Sequence, residues 1–271
     1  MTPPPPEYYT LDRPEVLAAI FHPRPQWGDT DLENGSTNQL IPVDDKVQIG
    51  ATFHMATPDA PNLLFFHGNG EIVSDYDELA PMYRELGINF MVADYRGYGR
   101  SSGSPTVTAM MQDCHSILDF TVHWLEGNDY TGPLIVMGRS LGSASALELA
   151  ASRTDQIHGL IIESGFAFAT PLLQLLGVNV SAIGFDETMG FGNIDKIKQF
   201  KRPTLVIHAE FDHIIPFSDG QALYDAAGAK EKTLVKIDGA NHNDIFFRGL
   251  TSYMAAVRSL ADGVFTSFNK T

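Results

Sequence analysis

Six short apolar runs, separated by segments with helical spacing, constrain the fold of this chain more than any other feature. The runs are NLLFF, INFMVADY, PLIVMG, HGLIIES, TLVIHA and KTLVKI, at 62–66, 88–95, 133–138, 158–164, 204–209 and 232–237. Strands of a buried parallel sheet are apolar on both faces, so these runs predict such a sheet. The alternation of strands and helices predicts a doubly wound α/β fold with helices on both faces. Residues 47–56 have mixed period-two character and predict an antiparallel strand.

Composition limits the partners that this chain can have. Its 271 residues carry a formal net charge of −15, which argues against binding to nucleic acid or to an anionic membrane. A single cysteine, Cys114, cannot form an internal disulfide. We see neither a signal peptide nor an apolar stretch long enough to span a bilayer, and we therefore expect a cytoplasmic protein. The spacings of metal-binding motifs are absent, and we expect no metal and no cofactor.

The first part of the chain is expected to pack on the domain formed by the rest of the chain. Residues 1–45 are proline-rich and then polar and acidic, and they predict a strap over a single domain at 46–271. Within the strap, 28–37 is typical of a loop. The stretch 13–21 predicts a short helix with Asp12 as its N-cap. Nothing in the strap suggests an active site.

Two pentapeptides fit the pattern Gly-x-Ser-x-Gly, which can present a nucleophilic serine. GRSLG at 138–142 lies directly between an apolar run and a helical segment, so Ser140 is predicted in a tight strand-to-helix turn that exposes its hydroxyl. GRSSG at 99–103 is followed by more loop before the next helix. We therefore predict that Ser140 is the nucleophile and that Ser101 lies in a turn near the rim of the pocket.

A serine hydroxyl needs a base within hydrogen-bond distance. His242, in the loop GANHND after the last apolar run, is the best candidate, because glycine and asparagine there favour a turn that projects the imidazole. His213 is expected to point elsewhere. His158 and His208 lie at or within predicted strands, where a structural histidine is the better interpretation.

Three carboxylates are candidates for the acid that orients the base. Asp212 lies just past the run TLVIHA, and we favour it. Glu163 occupies the equivalent position one strand earlier and stays open as an alternative. Glu210 is closer to the strand end and is expected to face the wrong way. Asp212 could instead only form an Asx turn before Pro216.

The negative oxygen of an acyl-transfer intermediate needs hydrogen-bond donors. The backbone N–H of Leu141 is one candidate, because it lies at the start of a helix whose dipole favours negative charge. The second is the N–H of Asn69 in the motif HGNG, which follows an early strand. Gly68 is expected to permit the tight turn there.

Five motifs, HGNG, DYRGYGRSSGSP, GRSLG, EFDHIIP and GANHND, together resemble the α/β-hydrolase superfamily over roughly residues 45–262. The likeness is closest to its single-domain serine hydrolases of the depalmitoylase and acyl-protein-thioesterase-like branch. The resemblance implies a mostly parallel, eight-stranded type of sheet. It also implies a Ser–Asp–His triad of Ser140, Asp212 and His242 that works through an acyl-enzyme. This chain has no N-terminal cysteine cluster for lipid anchoring, which argues against a membrane-protein substrate.

About forty residues separate two of the predicted strands, and a crossover needs fewer. We therefore predict a short cap insertion at about 165–200. Its apolar side chains are expected to pack the cap onto the body, although some could line a pocket and favour an acyl or aryl group. These side chains are Phe166, Phe168, Leu172, Leu173, Leu175, Leu176, Phe185 and Phe191.

The predicted function is hydrolysis of carboxylic esters or thioesters, with a small-molecule or acylated substrate. Two alternatives remain at this stage. The first is a peptidase or amidase of the prolyl-oligopeptidase-like type, which has similar motifs but usually an added domain. The second is a binding protein that has this fold without catalysis, since fold alone does not decide function.

Overall fold

In a computed structural model, which describes residues 8–28, 32 and 35–270, eight strands form one sheet in the order β1-β2-β4-β3-β5-β6-β7-β8. The strands are β1 Ser36–Asp44, β2 Val47–His54, β3 Asn62–Phe66, β4 Asn89–Ala93, β5 Leu134–Arg139, β6 Gly159–Glu163, β7 Thr204–Ala209 and β8 Lys232–Ile237. Strands β3 to β8 pair in parallel, whereas β2 is antiparallel to both of its neighbours. The mostly parallel sheet and the antiparallel strand β2 are therefore as predicted.

Helices cover both faces of this sheet. They are α1 Pro14–Ile20, α2 Ala80–Glu85, α3 Val107–Gly127, α4 Gly142–Ser152, α5 Ala169–Leu175, α6 Asn193–Gln199, α7 Phe217–Ala226 and α8 Ile245–Phe268. Successive strand residues enter different cores: Leu64 packs with α3 and α4, and Leu63 packs with α2 and α8. Because side chains alternate across a strand, runs that are apolar at every position are what a sheet covered on both faces requires.

Strand β1 is the element that the sequence analysis missed. It lies within the predicted strap, yet it pairs along its length with β2, with Ser36 opposite His54. Only Ile41 is buried in β1, so its sequence has none of the apolar alternation that marks a strand. Pro42 fits this position because an edge strand has one side without ladder hydrogen bonds. The predicted loop at 28–37 lies partly outside the described residues, and its last two residues belong to β1.

The N-terminal helix starts where it was expected, but its predicted cap was wrong. Helix α1 begins at Pro14, and its N-cap position is Arg13, which makes no side-chain capping hydrogen bond. The Asp12 carboxylate instead accepts hydrogen bonds from the backbone N–H groups of Val107 (2.7 Å) and Thr108 (3.1 Å). Asp12 thus satisfies the free N–H groups at the start of α3 and fastens the N-terminal segment to the body.

Two carboxylates from outside α5 hold the start of the predicted cap. Glu187 accepts hydrogen bonds from the N–H groups of Ala169 (2.7 Å) and Thr170 (2.8 Å), and Asp219 accepts one from Ala167 (2.9 Å). Helix α6, at the end of the predicted cap, packs against α4 and α7 as a crossover helix does. In the described part of the chain, no helix combines the length and apolar character needed to cross a membrane.

Candidate active site

The turn between β5 and α4 holds Ser140 in a strained conformation. Its φ angle is +50°, in the left-handed region that residues other than glycine seldom adopt. Space is so limited here that a Cβ atom at Gly138 would lie 2.3 Å from the carbonyl oxygen of Gly142. A Cβ atom at Gly142 would lie 2.1 Å from the carbonyl oxygen of Phe66 on β3. Both glycines therefore permit close approach of the backbone, and the turn projects the serine from the end of the sheet.

Ser140, His242 and Asp212 are connected by hydrogen bonds. The Nε2 atom of His242 lies 3.1 Å from Ser140 Oγ, and its Nδ1 atom lies 2.7 Å from Asp212 Oδ2. Because an ionised carboxylate can only accept, Nδ1 carries the proton and Nε2 is free to accept one from the serine. All three residues are buried. This arrangement can activate a hydroxyl for nucleophilic attack.

The two oxygens of Asp212 make different contacts. While Oδ2 contacts His242, Oδ1 accepts hydrogen bonds from the N–H groups of Ile214 (3.0 Å) and Ile215 (2.8 Å). The Asx turn and the contact with the histidine, considered above as alternatives, therefore occur together. Burial raises the pKa of Asp212, but the hydrogen bond and charge of His242 and the two N–H groups outweigh it and hold this pKa below its usual value. Asp212 is consequently ionised at neutral pH.

Neither alternative acid contacts the imidazole of His242. Glu163 is buried, where it accepts hydrogen bonds from the Tyr253 hydroxyl (2.7 Å) and from Nε of Arg139 (3.1 Å). Burial raises the pKa of Glu163. Glu210 accepts hydrogen bonds from Lys236 Nζ (2.7 Å) and from a backbone N–H in the loop after β8. The structure thus brings Ser140, His242 and Asp212 together, whereas Glu163 and Glu210 contact other residues.

The other histidines after Ser140 are elsewhere, as expected. His213 is exposed, and His158 contacts the backbone N–H of Leu134. His208 is buried behind Asp212, with Nε2 2.8 Å from the carbonyl oxygen of Ile215 and 3.6 Å from Asp212 Oδ2. Burial lowers the pKa of His208, so it is neutral and donates this hydrogen bond to the Asp212 loop.

Two backbone N–H groups near Ser140 are free to bind a ligand. Those of Asn69 and Leu141 donate no hydrogen bond to another residue within the described chain, and both residues line the cavity next to Ser140. The HGNG loop turns at Gly70, whose φ is +75°, and not at Gly68 as expected. A Cβ atom at Gly68 would lie 2.6 Å from Arg139 Nη1 and 2.9 Å from Glu71 Oε2, so a larger residue there would have to displace these side chains. Residues 67–71 carry the Asn69 N–H that the sequence analysis predicts as an oxyanion donor, and we name them the oxyanion loop after that prediction.

The N-terminal segment contributes to the site, contrary to the sequence analysis. The side-chain oxygen of Asn69 accepts hydrogen bonds from the backbone N–H of His22 (2.9 Å) and from the hydroxyl of Tyr98 (2.8 Å). The side-chain amide nitrogen of Asn69 lies 2.7 Å from His22 Nδ1. Two residues further on, Arg24 donates a hydrogen bond to the carbonyl oxygen of Gly70 (2.8 Å). The segment thus supports the oxyanion loop from outside, a contact between residues far apart in sequence.

Ser101 belongs to a different part of the fold. Its hydroxyl oxygen accepts a hydrogen bond from the N–H of Gly50 on β2, at 2.9 Å. Ser101 lies in a turn, as predicted, because its N–H donates a hydrogen bond to the carbonyl oxygen of Tyr98 at 2.8 Å, and it does not itself line the cavity next to Ser140.

A cavity of about 270 Å³ opens onto Ser140 and His242. Most of its wall is apolar and comes from the predicted cap and the N-terminal segment. These side chains include Ile20, Phe166, Leu172, Leu173, Leu176 and Phe191. By contrast, Leu175 on the same helix is 57% exposed. The apolar residues of the predicted cap thus supply a pocket wall as well as packing. Among the described residues, no His, Cys, Asp and Glu side chains are grouped so that three of them could hold a metal ion.

Comparisons with known proteins identify α/β hydrolases as similar to this chain. A family model described as serine aminopeptidase, S33, matches residues 58–182. The human α/β hydrolase domain-containing protein 17B is 32% identical over 214 residues, which cover 74% of this chain and 67% of that protein. The α/β hydrolase domain-containing protein aho-3 of Caenorhabditis elegans is 28% identical over 272 residues, covering 96% of this chain and 75% of that protein.

Solved structures of similar shape are more distant in sequence. A Pyrococcus furiosus esterase superposes with a TM-score of 0.72 at 16% identity, over 90% of this chain and 98% of that one. Est1E from Butyrivibrio proteoclasticus, bound to ferulic acid, superposes with a TM-score of 0.67 at 20% identity, over 82% of this chain and 96% of that one. At these identities the likeness is one of fold.

Proposed function

Because the chain belongs to the α/β-hydrolase superfamily and has its fold, we propose that it is a serine hydrolase that cleaves carboxylic ester or thioester bonds. One observation carries this proposal. The hydrogen-bonded series of Ser140, His242 and Asp212 meets an apolar cavity at its serine end.

The proposed reaction has two acyl transfers. Ser140 Oγ attacks the carbonyl carbon while His242 Nε2 takes its proton, and Asp212 stabilises the imidazolium that forms. When the tetrahedral intermediate collapses, the bond to the leaving oxygen or sulfur breaks and the imidazolium protonates that atom. Water then repeats the sequence on the acyl-enzyme and releases a carboxylic acid and free Ser140.

The N–H groups of Asn69 and Leu141 are proposed to bind the oxygen that becomes negative in both intermediates. Each donor of this kind typically contributes about 3–4 kcal/mol to stabilisation of the transition state. Leu141 has the further advantage that it precedes α4, where the helix dipole favours negative charge. The acyl group is proposed to lie in the apolar cavity, because its walls offer no unpaired cationic side chain that would favour a phosphate.

A fluorophosphonate probe tests this proposal, because it reacts with an activated serine. We expect labelling of the wild type and of Ser101→Ala, and none of Ser140→Ala. A folded wild-type protein that does not react would instead indicate the binding protein without catalysis.

Amide hydrolysis is the second candidate, because the matching family model carries the description of an aminopeptidase. A panel of p-nitrophenyl esters, an acyl-CoA thioester and aminoacyl anilides separates the candidates. We expect turnover of esters or of the thioester to exceed that of the anilides, and the reverse order would favour the peptidase.

A further inference from the structure

One largely buried guanidinium group contacts three parts of the chain that meet near Ser140: the oxyanion loop, the loop that carries His242, and the end of β6. Arg139 directly precedes the serine, and its side chain is 12% exposed. Its Nη2 atom donates a hydrogen bond to the carbonyl oxygen of His242 at 2.8 Å, and its Nη1 atom donates one to Glu71. Its Nε atom donates to Glu163 at 3.1 Å. The turn of the nucleophile, the loop of the base and the oxyanion loop are thus connected through one side chain.

Glu71 transmits this contact to the oxyanion loop. Its second carboxylate oxygen accepts hydrogen bonds from the backbone N–H of Gly68 (2.6 Å) and from the hydroxyl of Tyr76 (2.5 Å). Gly68 is the residue before Asn69, and a Cβ atom placed there would lie 2.6 Å from Arg139 Nη1. Movement of the guanidinium would release Glu71, and with it the hydrogen bond that holds Gly68 next to Asn69.

We propose that Arg139 is a positioning residue that sets the oxyanion loop and the base loop relative to Ser140. The proposal rests on the function proposed above and adds a role outside the triad and the oxyanion donors. A planar guanidinium presents its donors in fixed directions, so it can bind three acceptors at once. Lysine keeps the charge but lacks this geometry.

The competing interpretation is that Arg139 only stabilises the fold, and Arg96 supplies a matched control. Arg96 is 17% exposed and donates from Nε and Nη2 to the two oxygens of Asp113, each at 2.7 Å. It joins the loop after β4 to α3 and does not line the cavity. Replacement of either arginine breaks a partly buried ion pair, whereas only Arg139 contacts the catalytic loops.

The first test compares Arg139→Lys with Arg96→Lys, using the best substrate of the ester panel. The concentration of reactive serine is measured by fluorophosphonate titration, and thermal unfolding is recorded for each variant. For Arg139→Lys we expect kcat per titrated serine to fall by about 100-fold with KM within about threefold, because misplaced groups lower the transition-state contacts more than substrate binding. For Arg96→Lys we expect a lower melting temperature and unchanged kcat.

The second test is chemical rescue. Arg139 lines the cavity, so free guanidinium at a millimolar, non-denaturing concentration can reach the space left in Arg139→Ala. We expect it to raise kcat of Arg139→Ala, whereas sodium at the same ionic strength does not, and Arg96→Ala does not respond. If Arg139→Ala does not fold, Glu71→Gln replaces it, because it keeps an acceptor for Gly68 but loses the charge that attracts Arg139. Its kcat should fall by about tenfold.

The two proposals fail in different ways. Wild-type kcat per titrated serine in Arg139→Lys, with a loss of stability alone, would overturn the positioning role while Ser140 still reacts. Unchanged kcat in Glu71→Gln would do the same. Absence of labelling in the wild type would overturn the proposed hydrolase itself.

Discussion

The two Gly-x-Ser-x-Gly pentapeptides of this chain have opposite backbone requirements. In GRSSG, at 99–103, the positive φ angles fall on the glycines, +55° at Gly99 and +78° at Gly103. In GRSLG, at 138–142, neither glycine has a positive φ, and the left-handed conformation falls on Ser140 itself. Glycine is thus used for backbone freedom in the first pentapeptide, where Gly99 also packs closely against Asp94, and for close packing alone in the second. The Gly-x-Ser-x-Gly pattern does not determine how its glycines are used, because this depends on the strand and helix that flank the pentapeptide.

Their side chains differ in the same way. In GRSSG, the serine accepts a hydrogen bond from β2, and Arg100 donates one to the carbonyl oxygen of Ala51 at 3.1 Å. In GRSLG, Ser140 faces His242 and Arg139 contacts the loops of the site. The first pentapeptide therefore fastens a loop to the sheet, whereas the second brings separate loops to one point. A substitution in the second pentapeptide can therefore be compared with the same substitution at the equivalent position of the first, which serves as its control.

The largest difference should appear between the two serines. We expect Ser140→Ala to lower kcat/KM for the best ester by about 10⁴-fold to 10⁶-fold, as is typical when a nucleophile of this kind is removed. Ser101→Ala should keep kcat/KM within about twofold, since its hydroxyl contacts only the backbone of β2. Steady-state kinetics on both purified variants checks this. Comparable losses in the two would remove the distinction between the pentapeptides.

The second prediction concerns which carboxylate orients His242, the proposed base for Ser140. Asp212→Asn should lower kcat by about 10⁴-fold, because an amide cannot stabilise the imidazolium and favours the wrong tautomer of His242. Glu163→Gln keeps an oxygen for Tyr253 and does not contact the imidazole, so we expect a loss of about tenfold or less. Kinetics with both variants, each titrated for reactive serine, decides between them. A reversed order would assign the acid role to Glu163.

The third prediction concerns the final glycines of the two pentapeptides. A Cβ atom at Gly142 would lie 2.1 Å from a backbone oxygen of β3, whereas at Gly103 the nearest atom is 3.3 Å away, on the side chain of Val47. We expect Gly142→Ala to lower the free energy of unfolding by about 3 kcal/mol and to lose activity. Gly103→Ala should cost about 1–2 kcal/mol, because it forces a left-handed alanine, and should keep activity. Urea unfolding measures both, and equal costs would contradict the proposed reasons.

Local order along the chain was sufficient to predict the parallel sheet and the meeting of Ser140, His242 and Asp212. Ser140 and Asp212 follow buried strands, His242 follows the edge strand β8, and the carboxyl ends of parallel strands lie at one edge of a sheet. Their catalytic roles remain predictions. Strand β1 could not be found in this way, because it has a single buried residue and exists through its pairing with β2.

Contacts between distant residues account for the other errors. Asp12 was assigned to the nearest helix start, but its carboxylate accepts hydrogen bonds from the first N–H groups of α3, about 95 residues away. Ile20 reaches the cavity from the end of α1, and His22 reaches the oxyanion loop from the segment that follows this helix. Polar residues after a proline-rich stretch carry no periodic signal for such a contact. As with the two pentapeptides, a local sequence pattern identifies candidate residues, and the residues that they contact in the fold determine their roles.

The smallest predicted effect concerns what the serine of GRSLG acts upon. Leu173 and Leu175 lie on the same helix, but Leu173 is 2% exposed and lines the cavity, whereas Leu175 faces solvent. If the acyl group occupies this cavity, Leu173→Ala enlarges it and should change the ratio of kcat/KM between long and short p-nitrophenyl esters by about tenfold, in favour of the longer. Leu175→Ala should leave the ratio unchanged. An equal response of the two variants would mean that the acyl group binds outside the cavity, and that the cap only covers the site.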